Sequence, residues 1–174
     1  MPDAAYIRSW HPSDHEAIWD LHRVALRATG AFIASGSLDE DFDQIKGVYL
    51  DPGGCFLVCI FKNRIVGMGG LKRIDETTAE LKRMRVHPDF QGRGIGKCLL
   101  LALESDASTR LIHRIVLNTT HVQVAAQGLY RASGYRETRR SPGTGAASHL
   151  TMIYFEKELG EKDETVPAAA LITP

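Results

Sequence analysis

The chain has no net charge: over 174 residues, 21 basic side chains balance 21 acidic ones. No overall field therefore draws it to nucleic acid or to an anionic membrane. Cysteine is scarce, with only Cys55, Cys59 and Cys98 present. On a strand over 54–61 the first two stand about 13 Å apart, beyond disulfide reach. Reduced thiols and a cytoplasmic location are the expectation. No apolar run approaches the ~20 residues that span a bilayer, Leu99 to Leu103 being among the longest. The start of the chain, with Asp3, has none of the long apolar core of a secretory signal. Repeats are missing, and 44 % hydrophobic with 24 % charged residues excludes a disordered, collagen-like or coiled-coil chain. The length fits one domain, expected over 1–157, followed by a flexible tail over 158–174 that is acidic and then Pro/Ala-rich.

Charge is present but unevenly spread. Residues 1–51 carry 4 basic and 9 acidic side chains, residues 52–155 carry 15 and 7, and residues 156–174 carry 2 and 5. The basic middle suits a polyanionic small ligand, or simply a solvated cationic face.

Apolar spacing divides the chain into short elements. Tyr6, Ile7 and Trp10 begin a strand, and Ser13-Asp14-His15-Glu16 has the form of a capping box ahead of a helix through Ile18, Leu21, Ala25 and Leu26. Ser37-Leu38-Asp39-Glu40 repeats that signature before a second helix through Phe42, Ile45 and Tyr49. Three strands follow, Cys55 to Phe61, Ile65 to Ile74 and Ala79 to His87, the first pair joined by a Lys62-Asn63-Arg64 turn. A helix from Gly94 to Thr109, a strand from Arg114 to Asn118 and a helix from Val124 to Ser133 come next. Strands from Tyr135 to Arg139 and from Leu150 to Phe155 close the list. The order β-α-α-β-β-β-α-β-α-β-β is that of a mixed α/β domain, with a parallel pair where the helix from Gly94 crosses over.

Chemistry concentrates in Gln91-Gly92-Arg93-Gly94-Ile95-Gly96, between a strand and a helix start. Glycines let a ligand lie on the main chain, and the first amides of a helix have no internal acceptor, so this turn suits a phosphate. A P-loop ending at Gly96-Lys97 fails at Gln91 and Cys98, and a dinucleotide fingerprint from Gly92 fails at Lys97. Leu81 and Val86 have opposite parity yet both read as inward positions, which predicts a β-bulge near Arg83 to Arg85. His11 and His15 stand i, i+4 apart, but Pro12 and the cap at Ser13 put His11 outside the helix, so no metal is expected.

This segment resembles the GCN5-related N-acetyltransferase (GNAT) superfamily, whose Gln/Arg-x-x-Gly-x-Gly/Ala signature is matched by Gln91 to Gly96. Glu80-Leu81 to Val86-His87-Pro88 looks like that family's central strand, and Ala125-Ala126 to Leu129-Tyr130-Arg131-Ala132-Ser133-Gly134-Tyr135 like its fourth helix and following turn. The resemblance is strong over 79–135, rests on element order over 4–78 and 136–157, and does not reach the tail. It implies a mixed, mostly antiparallel sheet of six or seven strands flanked by helices, and acetyl-CoA as acetyl donor.

The resemblance also implies site residues. The pyrophosphate would lie on the amides of Gln91, Gly92, Arg93, Gly94, Ile95 and Gly96. The pantetheine arm would run between splayed strands and meet main-chain groups of Met84 and Val86, with the Val86 amide polarising the thioester carbonyl and Asn118 as a further contact. Tyr130 is the candidate acid for the departing sulfur, and Glu80 the candidate general base, acting through water; packing on the sheet and a salt bridge to Lys82 are their plain alternatives. Arg85 stands where relatives often hold an aromatic residue, which would suit an anionic group on the acceptor side. Cys98, in the first turn of an apolar helix without a His partner, is a poor acyl carrier, so direct transfer to an amine of a small molecule or peptide is expected. A CoA-sensing module without turnover is the alternative. Many relatives dimerise, and no nucleic-acid or membrane partner is expected.

Overall fold

The computed structural model describes residues 4–31 and 39–160. Strand β1 (Tyr6–Ser9) leads into helix α1 (His15–Thr29). Strands β2 (Cys55–Phe61), β3 (Arg64–Arg73) and β4 (Thr78–Val86) follow, then α2 (Ile95–Thr109), β5 (Arg114–Thr120), α3 (Val124–Ala132), β6 (Arg136–Pro142) and β7 (Thr151–Glu158). All seven strands form one sheet in the order β1-β2-β3-β4-β5-β7-β6. Among the described residues only β4 and β5 run parallel, joined by α2 as the element order requires.

Strand β2 shows why the sheet is covered on both faces. Cys55, Leu57 and Cys59 pack with α2 residues Leu99, Leu100 and Leu103, whereas Phe56, Val58 and Ile60 pack with Ile18 and Leu21 of α1. Alternate side chains thus feed two cores. Lys62 and Asn63 both take positive φ, giving the tight two-residue turn of the β2–β3 hairpin.

Three local expectations change. The capping box forms not at Ser13 and Glu16 but at His11 and Asp14, because Pro12 opens a short 3-10 turn there. The Asp14 carboxylate then accepts from the His11 amide at 2.8 Å while Arg8 grips it through both oxygens. The segment after Asp39 is not a regular helix but a 3-10 turn over Glu40–Gln44 and a π-turn over Lys46–Leu50. Tertiary bonds shape it: Tyr49 donates to Asp41, and both Asp39 and Asp41 are held by Arg83. The expected start of this helix at Ser37 and Leu38 lies outside the described residues. At the far end, β7 runs to Glu158, and the Leu159 amide donates to the His113 carbonyl at 2.7 Å. The last strand thus extends past its expected end at Phe155, and residues 161–174 of the expected tail lie outside the described residues.

Candidate active site

Strand β4 builds the site because its two halves are paired differently. Thr78 to Leu81 lie against Arg114 to Leu117 of β5, and there the parallel pairing stops. From Lys82 to Val86 the strand has β3 on one side and no strand on the other. Opposite that unpaired stretch the register with β3 slips between Met68 and Gly70. Arg83 takes up the extra residue at φ 57°, a left-handed conformation costing about 1–2 kcal/mol for a residue with a Cβ. Gly69 leaves room: a Cβ there would come within 2.9 Å of both Met84 Sδ and Leu103 Cδ1.

The bulge resets parity, as the sequence pattern anticipated. Leu81, Met84 and Val86 all pack on the α2 side, while Glu80, Lys82, Arg83 and Arg85 share a cleft beneath the end of α1. It also aims the main chain. His87 donates to Val66 at 2.8 Å, so Val86, the next residue in, belongs to a non-hydrogen-bonded pair whose N–H and C=O point into the gap. The Val86 carbonyl accepts from Gln91 Nε2 at 3.2 Å, and the Met84 carbonyl from Arg85 Nη1 at 2.8 Å. The carbonyls of Met84 and Val86, two residues whose main-chain groups were expected to meet pantetheine, thus have side-chain partners.

The glycine-rich turn follows a short 3-10 turn over Pro88–Phe90. Gly92 and Gly94 stand at φ 74° and 80°, where a Cβ would meet no neighbour, so their role is conformational. Gly96 is different, since its Cβ would stand 3.3 Å from Leu129 and 3.6 Å from Val86, and it lets α2 approach both. The Gln91 amide is used internally, donating to Pro88 at 3.3 Å. Among the described residues, the amides of Gly92 to Lys97 have no protein acceptor; Cys98 is the first to bond back, to Gly94 at 3.0 Å. Six consecutive donors at a helix start fit a pyrophosphate.

Two clefts meet at this place. One, of about 270 Å³, runs from the glycine-rich turn past Val86 and Leu129. The other, of about 490 Å³, holds Glu80, Lys82, Asn118 and Tyr154. Tyr130, Met84 and Arg85 line both. Tyr130 is buried against Tyr135 and Phe155. Burial pushes its phenol up to about 12, with the Arg85 charge pulling the other way. Asn118 lies in the second cleft and not the first, donating to Glu80 Oε1 at 3.4 Å; Lys82 Nζ is 3.8 Å from the same oxygen.

Residues not singled out from sequence complete the wall. Arg83 bonds Asp39 at 2.6 Å and Asp41 through Nε at 2.9 Å, and lies over the Phe42 ring. His22, fully buried, sits 3.2 Å from Asp39. Burial holds the His22 pKa down; against the opposing pull of burial, His22 and Arg83 hold Asp39 below the usual carboxylate range, and Arg83 with the Tyr49 hydroxyl holds Asp41 below it. The one signal for this network in the sequence was the acidic excess of residues 1–51 facing the basic middle.

A seven-stranded sheet parted beside a helix start with open amides is the form that the sequence resemblance implies. The profile of the Acetyltransferase (GNAT) family matches residues 6–135, and the chain belongs to that family. A GNAT-family acetyltransferase from Staphylococcus aureus Mu50 superposes with a TM-score of 0.81 at 25 % identity, over 90 % of this chain and 100 % of that one. A Salmonella typhimurium protein solved with its cofactor acetyl-CoA shares the fold, with a TM-score of 0.74 at 22 % identity over 93 % of this chain and 98 % of that one. In sequence, the N-acetylaspartate synthetase of Danio rerio is 36 % identical over 127 residues, 69 % of this chain and 45 % of that protein. Human N-acetyltransferase 8B is 31 % identical over 60 % of this chain and 49 % of its own length. The chain thus spans less than half the length of these relatives. No described helix is long and apolar enough to cross a membrane.

Proposed function

We propose that the chain is an acetyl-CoA-dependent N-acetyltransferase passing the acetyl group directly to a primary amine of a small molecule. The observation that carries this reading is the run of unpartnered amides from Gly92 to Lys97 beside the gap in the sheet, with Tyr130 lining both clefts. The names of the N-acetylaspartate synthetase relatives favour a small-molecule acceptor over a peptide.

Acetyl-CoA, when bound, supplies an acetyl group activated as a thioester. The residues of the chain hold it and manage protons. The amides of 92 to 97 hold the diphosphate, and the Val86 N–H stands in the gap as a donor where oxygen gains negative charge. An ammonium acceptor sheds two protons on becoming an amide as the N–C bond forms and the C–S bond breaks. One leaves through Glu80 and water, and the other makes good the proton that Tyr130 gives the sulfur. A phenol with a pKa near 12 is protonated at physiological pH, so Tyr130 enters each turnover as a donor. Asn118 and Lys82, both beside Glu80, orient its carboxylate.

The test is thermal stabilisation by CoA together with thiol release from acetyl-CoA over a broad amine panel. Stabilisation with thiol release for some amine supports the reading. Stabilisation without release replaces it with a non-catalytic CoA-binding module, and absence of both removes CoA altogether.

A further inference from the structure

The cations facing the second cleft are not equally committed. Arg83 is neutralised by Asp39 and Asp41, and Lys82 stands against Glu80. Arg85 forms no ion pair among the described residues. Its Nη1 bonds the Met84 carbonyl, and its Nε is shut away from solvent with no acceptor among the described residues. Burial and the neighbouring Arg83 charge depress its pKa to about 10. A half-buried guanidinium whose Nε is shut away without an acceptor is a costly arrangement in a folded protein, and an anion relieves it. The Nε and Nη2 edge is the face that grips a carboxylate through two parallel bonds, reached once the side chain turns.

We propose that Arg85 binds a carboxylate of the acceptor, so that the substrate is an amino acid or another small amine bearing a carboxylate. This rests on the transferase reading above and assigns its acceptor class. Arg85 lines both clefts beside Tyr130, and its charge favours the phenolate form of that tyrosine.

Matched acceptors test the proposal: L-aspartate, L-alanine and β-alanine, each against its carboxamide counterpart, with steady-state kinetics on the wild type, Arg85→Gln and Arg85→Lys. The expected wild-type kcat/KM favours the carboxylate member of a pair by roughly tenfold or more. In Arg85→Gln that ratio falls to about one, mainly through KM, and Arg85→Lys restores part of it. Thermal stabilisation by CoA checks that each variant is folded. A wild type that prefers the carboxamides, or the same ratio in Arg85→Gln, overturns the proposal. If no amine is acetylated, the transferase reading falls by itself, and calorimetry of L-aspartate and L-alanine on the CoA-loaded protein decides about Arg85. Binding heat lost in Arg85→Gln sustains the assignment, and no heat with the wild type ends it.

Discussion

The two clefts that meet at Tyr130 are built from different materials. The donor side is main chain: amides from Gly92 to Lys97, freed by a helix start and two glycines at positive φ, and the Val86 N–H, freed by the end of a strand pairing. The acceptor side is side chain: Glu80, Lys82, Arg83 and Arg85, collected on one face by a single extra residue in β4, with Asn118 from β5 beside them. A main-chain site tolerates replacement of every side chain except where glycine is needed for conformation. A side-chain site can be rewritten position by position, and in the proposed function this is the half that sets selectivity among acceptors. The donor half as proposed would hold its ligand with groups that do not titrate, while the acceptor half rests on a buried histidine and two half-buried aspartates.

The sharpest way to break this contrast lies at the shared residue. Tyr130→Phe removes one donor from the reacting centre and should lower kcat by about a hundredfold while leaving CoA stabilisation intact. An unchanged rate across pH would remove Tyr130 from proton transfer. Gly94→Ala strains the turn by roughly 1–2 kcal/mol, so KM for acetyl-CoA should rise about tenfold with kcat nearly kept; a change confined to the acceptor KM would place the turn on the wrong side. Acidification probes the acceptor wall. His22 has its folded pKa below the ordinary 6.5, so the unfolded chain binds the proton more readily and stability falls as pH drops from about 6.5 toward the folded value. Asp39 and Asp41, also lowered, add a second loss below about 3.8. A melting series from pH 7.5 to 5 should show a decline of a few degrees, absent in His22→Gln. Smallest of all, Cys98→Ala should leave kcat within about twofold; a loss beyond tenfold would point to an acyl-enzyme instead.

How much was readable in advance follows the same division. The glycine-rich turn, the three-strand run and the parity conflict between Leu81 and Val86 are local patterns, and they located the turn, the hairpin and the bulge. Hairpin and helix limits lay within a few residues because turn chemistry at Lys62-Asn63 and Gly134 is short-range. The acceptor wall was harder. Asp39 and Asp41 meet Arg83 across more than forty residues of chain, and nothing local marks that meeting; the same long-range bonds turned an expected helix into 3-10 and π turns. Asn118 lies beside Glu80, because strand alternation puts both on the same face of the sheet. Arg85 stood out by its type, but that its Nε has no acceptor among the described residues needed coordinates.

Amide chemical shifts recorded by NMR during titration with CoA address the main-chain site most directly. The account predicts large shifts and slowed hydrogen exchange for Gly92, Arg93, Gly94, Ile95, Gly96 and Lys97, with little change at Gln91, whose amide is already bonded to Pro88. Saturated binding that leaves those six resonances unmoved would contradict it.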